Sequence, residues 1–330
     1  MNTFGERFRL TDFGETHGAC IGGVVDGCPA GLPMDVAFVQ RELERRSLTQ
    51  YGTGSTRQDN TRREPDTVRF VSGLYEGETT GAPIAFFIDN KDVRIVKENN
   101  NVLKPSHASF VLKEKYGHHC NEQGGRFSAR QTACRVVGGA IAKLFLKQYH
   151  IDIQSFIKEK EKGIEKKNDT AGAIVECVVS HVPAGLGEPT YGGLDARLAA
   201  AMLSIPACKG FEIGEGFGAA RMTGSQYNDL QEKDFTFRTN HDGGIQAGIS
   251  NGQDILFRLA FKPIPSLPID QETIDFQGNT TIYKGHSRND KSVVPRVLPV
   301  VEAMAALVLA DAVLLHYPNL KTETCSKHLF

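Results

Sequence analysis

Four stretches of this chain repeat apolar residues at helical spacing. In DVAFVQRELERR, Val36, Val39 and Leu43 share one face, Asp35 stands where an N-cap belongs, and the basic pair Arg45–Arg46 closes the segment. SARQTACRVVGGAIAKLFLKQY (Ser128 to Tyr149) is apolar over a broad face, with Ser128 as its candidate cap. LDARLAAAML (Leu194 to Leu203) and VVPRVLPVVEAMAALVLADAVLLHY (Val293 to Tyr317) complete the set. Short runs rich in Val, Ile and Phe predict strands over Ile21–Val25, Ile84–Ile88, Ala173–Val179 and Ile255–Phe261. The mixture reads as one α+β unit spanning 1–330, without a domain boundary. KEKEKGIEKKNDTAG (Lys158 to Gly172) reads as a solvated charged loop or hairpin, and KTETCSKHLF as a terminal tail.

The most apolar segment, Val297 to Leu315, contains Pro299, Glu302 and Asp311. Those groups are costly in lipid, so a buried core or subunit-interface helix is expected instead of a membrane span. The first residues show no apolar signal core. Seven scattered cysteines without a Cys-x-x-Cys pair point to reduced thiols in a cytoplasmic protein, and no metal site is expected. His118, His119 and Cys120 are adjacent, so they point apart on any regular element. Lys and Arg total 38 against 39 Asp and Glu, a net charge of −1. This balance gives no global attraction to nucleic acid or an anionic membrane; positive charge must act locally.

Locally it is concentrated. Arg45 and Arg46 end the first helix, Arg57, Arg62 and Arg63 follow in YGTGSTRQDNTRREPD, Arg126 and Arg130 bracket Ser128, and Arg288 and Arg296 flank Asp290. Guanidinium forks at loop–helix junctions suit phosphate and carboxylate groups, and a helix start behind Ser128 adds backbone donors. His17, inside FGETHG, and His107, inside KPSHAS, lie beside Gly or Ser and are candidates for proton transfer near neutral pH. No P-loop, Gly-x-Gly-x-x-Gly after a strand, or Gly-x-Ser-x-Gly elbow is present. The residues alone reach an enzyme acting on a small polyanion. RFSAR and RNDKSVVPR precede the second and fourth helices with similar basic, hydroxyl-bearing chemistry, which hints at an internal duplication.

In order along the chain, FGETHGACIGGVVDGCPAG, GGRFSARQTACRVVGGAIA and RNDKSVVPRVLPVVEAM resemble the three signature segments of the chorismate synthase family. TRREPD, VPAGLGEP, SIPACKGFEIGEGF and GGIQAGISNGQ, lying between them, are similar to the family's pattern as well. The resemblance implies a layered β-α-β sandwich of mostly antiparallel sheets with internal pseudo-duplication, assembled as a homotetramer. It implies a lyase of the shikimate pathway, serving aromatic amino acid biosynthesis. The reaction would be 1,4-anti-elimination of phosphate from 5-enolpyruvylshikimate 3-phosphate, with reduced FMN (FMNH2) as cofactor. It leaves open whether NADPH reduces the flavin on the protein itself.

Carried over residue by residue, the resemblance gives His17 the protonation of the leaving phosphate and places His107 at the flavin pyrimidine ring. Asp290, with Ser128 nearby, would receive the proton drawn off the substrate through the flavin. Arg46, Arg57 and Arg130 would bind substrate. Arg126, Ser128, Ala207, Ala247, Lys262, Ser266 and Arg288 would line FMN. The chain departs from the family pattern at Lys104, Ser106, Ser109, Asn289 and Lys291, and SLTQYGTGSTRQDN replaces the usual segment around Arg57. Those departures keep open the alternative of a flavin- or polyanion-binding homologue with reduced or lost turnover.

Overall fold

The computed structural model describes residues 1–47, 65–91, 93, 101–117, 125–160, 169–285, 294 and 296–317. The first half contains β1 (Thr3–Phe4), β2 (Arg9–Gly14), β3 (Cys20–Asp26), α1 (Val36–Ser47), β4 (Val68–Phe70), β5 (Leu74–Tyr75), β6 (Glu78–Thr79), β7 (Ile84–Asp89), α2 (Ser109–Tyr116) and α3 (Thr132–Leu146). In the second are β8 (Asp152–Lys160), β9 (Ala173–Ser180), α4 (Leu194–Leu203), β10 (Cys208–Ile213) and α5 (Gly224–Tyr227). They are followed by β11 (Ile245–Gln246), β12 (Ile249–Ser250), β13 (Ile255–Phe261), β14 (Gln271–Ile274), β15 (Thr280–Tyr283) and α6 (Leu298–His316).

The duplication hinted at by the two basic loops is explicit in the sheets. One sheet runs β1-β2-β3-β7-β4 and the other β10-β13-β9-β8, with every neighbouring pair antiparallel. Each half follows the same path: a hairpin, a helix, an outer strand, an inner strand, then a long helix. Thus β2-β3-α1-β4-β7-α3 corresponds to β8-β9-α4-β10-β13-α6, and the strand orders β2-β3-β7-β4 and β8-β9-β13-β10 match. Helix α3 packs on β2 and β3, α6 packs on β8 and β9, and the two long helices pack on each other. A helical layer therefore lies between two sheets, each of which buries one face.

The contact between the long helices is made close by a glycine. A Cβ at Gly139 would lie 2.3 Å from the Cβ of Ala303 and 2.4 Å from its Cα. Helix α6 is buried nearly all round, so it is a core helix of the chain itself, which decides between the two roles expected for it. Its two acids are fully engaged, as buried charges must be. Glu302 accepts from Arg45 Nη1 and Nη2 (2.7 and 2.8 Å), Lys143 Nζ (2.6 Å) and the N–H and hydroxyl of Ser155. Asp311 accepts from the backbone N–H groups of Glu6, Arg7 and Phe8 and from Arg197.

Most predicted elements are present. The charged Lys158–Gly172 segment is in part strand, because β8 continues to Lys160, and residues 161–168 lie outside the described ones.

Candidate active site

The long helices begin at one end of the layer, and the candidate residues gather there. Ser128 has extended backbone, and its hydroxyl accepts from the Arg130 N–H at 3.3 Å, starting a 3-10 turn over Ala129–Gln131 that runs into α3. This is the capping expected of Ser in RFSAR. Gln131 donates to Gly14 O at 2.7 Å and accepts from Arg126 Nη1 at 3.1 Å, while Arg126 also binds Asp12 and Asn2. The end of β2 is thereby tied to the start of α3.

Three polar residues form the floor. Arg46, at the end of α1, donates through Nε to Thr132 Oγ1 (2.9 Å) and through Nη2 to Ala129 O (2.8 Å), with Nη1 3.5 Å from Asp66 Oδ2. Arg130 donates through Nη1 to Asp66 Oδ1 and through Nε to Asn90 Oδ1 at 3.2 Å. Arg46, Arg130 and Asp66 are all buried. Burial, with the neighbouring charges of Arg130 and Arg296, pulls the Arg46 guanidinium down to about 10 against the opposing pull of Asp66. Among the described residues, one carboxylate, Asp66, faces these two buried guanidiniums at the start of α3.

His17 lies on the turn joining β2 to β3. The turn closes through Gly18 N–H to Glu15 O at 3.1 Å, and Asn90, just past β7, clasps it from below. The Asn90 amide donates to Glu15 O and to Gly18 O, both at 2.8 Å, and its backbone N–H donates to Ala19 O at 3.0 Å. The imidazole is half-buried, and its Nδ1 is shielded from solvent.

His107 lies on the loop that leads into α2. Its ring meets Phe127 edge-on at 5.3 Å, one residue before Ser128. Ser106 has φ of 55°, and its carbonyl accepts from Lys262 Nζ at 3.3 Å. The Lys262 N–H in turn donates to Ala207 O at 3.0 Å, and Ala207 has φ of 69°. The 104–107 loop is anchored to β14 by Leu103 N–H to Ile274 O and Thr273 Oγ1 to Leu103 O. Ser266 follows Lys262 by four residues, on a segment held by Thr170 Oγ1 to Ile264 O at 2.8 Å.

The model for chorismate synthase matches residues 8–163 and 158–314 of the chain. The chain is 45% identical to the chorismate synthase of Parabacteroides distasonis over 356 residues, covering 96% of this chain and 98% of that protein. It is 45% identical to that of Porphyromonas gingivalis, covering 95% and 96%. The chain belongs to the chorismate synthase family. A solved structure titled "Crystal Structure of Chorismate Synthase" superposes with a TM-score of 0.76 at 28% identity, over 98% of this chain and 96% of that one. Family membership makes the chain an enzyme of the carbon–oxygen lyase class.

Of the residues expected at a chorismate synthase site, contacts link Arg46, Arg126, Ser128, Arg130 and the His17 turn around the start of α3, and join Ala207, Lys262 and the His107 loop to one another and, through Phe127, to Ser128. Arg57, Arg288 and Asp290 lie outside the described residues. Ala247 lies near the start of α4, at the other end of that helix from Ala207. The neighbouring Gly248 O accepts from Leu194 N–H at the start of α4, whereas Ala207 follows the end of that ten-residue helix. The length of α4 alone separates the two ends by about 14 Å. Sequence reasoning missed Asp66 and Asn90. TRREPD contains Asp66 and IAFFIDN contains Asn90, but neither pattern marks a single polar residue as a bridge.

Proposed function

We propose that this chain converts 5-enolpyruvylshikimate 3-phosphate to chorismate and inorganic phosphate by a 1,4-anti-elimination that depends on reduced FMN. A C–H bond and the ring C–O bond to phosphate are broken, a second ring double bond forms, and the reaction has no net redox change. The observation that carries this reading is the connection of the His17 turn through Asn90 to the Arg130–Asp66–Arg46 cluster. It ties the turn that carries His17 to a pair of buried guanidiniums, a setting that suits loss of a phosphate dianion.

The residues opposite fit a flavin nucleotide. Lys262 offers an ammonium, the Ser128-capped turn a helix start for an anion, and Ala207, at φ of 69°, a backbone bend without a long side chain. Phe127 and His107 bring an aromatic pair for a planar ring system. Bound in reduced form, the flavin would supply an electron-rich ring able to exchange an electron and a proton with substrate. Lys262, Ser128, Ser266, Arg126 and Arg288 would hold it, with Ala207 along its edge and His107 at its pyrimidine side.

The chain's own residues do the rest. The positive floor of Arg46 and Arg130 draws the phosphate and carboxylates inward and stabilises charge developing on the leaving oxygens. Arg46 acts largely through this field, because its Nε and Nη2 hold Thr132 and Ala129 in place. His17 delivers a proton to the departing phosphate, Asp290 accepts the proton lost from carbon, and Arg57 contacts a substrate carboxylate. A cytoplasmic homotetramer belongs to the same proposal.

The test is anaerobic phosphate release with FMN reduced by dithionite, with oxidised FMN, and without flavin. Release confined to the reduced cofactor supports the proposal. Tight binding of FMN and substrate without release would favour the binding-only homologue, motivated by Lys104, Ser109, Asn289 and Lys291. Release independent of flavin would indicate a different lyase.

A further inference from the structure

We infer that Asn90 is a positioning residue that holds the His17 turn in register with the arginine floor. It rests on the assignment of His17 as proton donor. The amide sits between two systems and reads both. Its Nδ2 donates two 2.8 Å bonds to the carbonyls of Glu15 and Gly18, on either side of Thr16–His17. Its Oδ1 accepts from Arg130 Nε at 3.2 Å, and Arg130 in turn binds Asp66. A backbone bond from Asn90 N–H to Ala19 O continues the β3–β7 ladder one residue past its end.

An Asn side chain is chemically suited to this place. Two donors and one acceptor are needed on a planar head, which a carboxylate cannot supply and a hydroxyl cannot reach. The β2–β3 ladder ends at the Gly14–Ile21 pair, so residues 15–18 lie beyond it. Asn90 thus connects the fixed position of Arg130 to the turn that bears the imidazole. A displacement of about 1 Å in a catalytic group costs up to a hundredfold in rate.

Asn90→Asp separates the two arms, because Asp keeps the acceptor for Arg130 and loses both donors to the turn. The full chain with FMN is compared as wild type, N90D, N90A, H17A and the H17A/N90D pair. Expected are a ten- to hundredfold fall in kcat for N90D and N90A, a KM changed less than threefold, and FMN affinity retained. Amide exchange should quicken in a peptide covering residues 14–19, and in N90D it should do so while peptides of α3 keep their protection. The double variant should be no slower than H17A alone, since a residue acting through His17 has nothing left to position. A wild-type rate in N90D, unchanged exchange over 14–19, or multiplicative losses in H17A/N90D would each overturn the inference. Should N90A fail to fold, N90D and its exchange pattern decide the question. A wild-type rate in H17A would instead sink the assignment of His17, leaving the exchange result to report on the tether by itself.

Discussion

Asp66→Asn removes the carboxylate that, among the described residues, faces Arg46 and Arg130, while leaving the shape of the side chain. Asp66 has φ of 43°, a conformation that Asn adopts as readily as Asp, so the backbone cost of the exchange is small. What changes is charge: the anion is lost from a group of three side chains, Asp66, Arg46 and Arg130, of 4, 7 and 6% exposure. Removing one partner from a buried ion pair typically costs about 3–5 kcal/mol, because the remaining charge is buried without compensation. The unfolding entropy of globular chains, about 2.1 cal/mol/K per residue, gives about 0.7 kcal/mol/K for this length. The midpoint should therefore fall by about 4–7 °C in calorimetry at neutral pH. Adding Arg46→Met removes one of the stranded cations and should recover part of the loss, a coupling measured by a double-mutant cycle. A fall of less than about 1 °C for D66N would refute the idea that this carboxylate neutralises the floor.

Gly139→Ala should destabilise by about 1–3 kcal/mol or more, since the added methyl meets Ala303 backbone as well as side chain; urea denaturation at fixed m measures it. Glu302 gives an acid-limb prediction. Burial pushes its carboxyl up, but the Arg45 hydrogen bonds and the charges of Lys143 and Arg45 outweigh this and hold it below the ordinary range. A depressed carboxyl contributes stability that is present above its unfolded value, about pH 4.3, and lost as pH falls through the lower folded value. Glu302→Gln should lower stability at neutral pH and flatten the decline below about pH 4, read from unfolding midpoints across pH. Lys262→Met should weaken FMN binding by about tenfold or more, the worth of one charge-assisted hydrogen bond; flavin fluorescence titration would show an unchanged affinity if the ammonium plays no part.

How far the sequence could be read depended on where the signal resides. LDARLAAAML and ILFRLAF coincide with α4 and β13 because each has an apolar pattern bounded by turn residues. RLTDFG and DIQSFIKEK escaped, although they are β2 and β8, because each mixes charged residues in among its apolar ones. The basic RFSAR loop before a helix was legible, since capping chemistry and arginine placement are local. Asp66 and Asn90 were not. Asn90 reaches the His17 turn because β7 lies beside β3, and Asp66 meets two arginines because α1 ends beside the start of α3; both facts belong to topology. The duplication was only a resemblance between two loops in the sequence, and became a shared strand order once the sheets were assembled.

The most direct measurement is the rate of phosphate release by His17→Ala, with FMN reduced and substrate saturating, against the parent chain. A general acid contributes about a hundred- to ten-thousandfold, so a loss within that range with FMN binding intact is the expected result. Release at the parent rate would contradict the placement of the proton donor on the turn beside the arginine floor, and with it the account of this site.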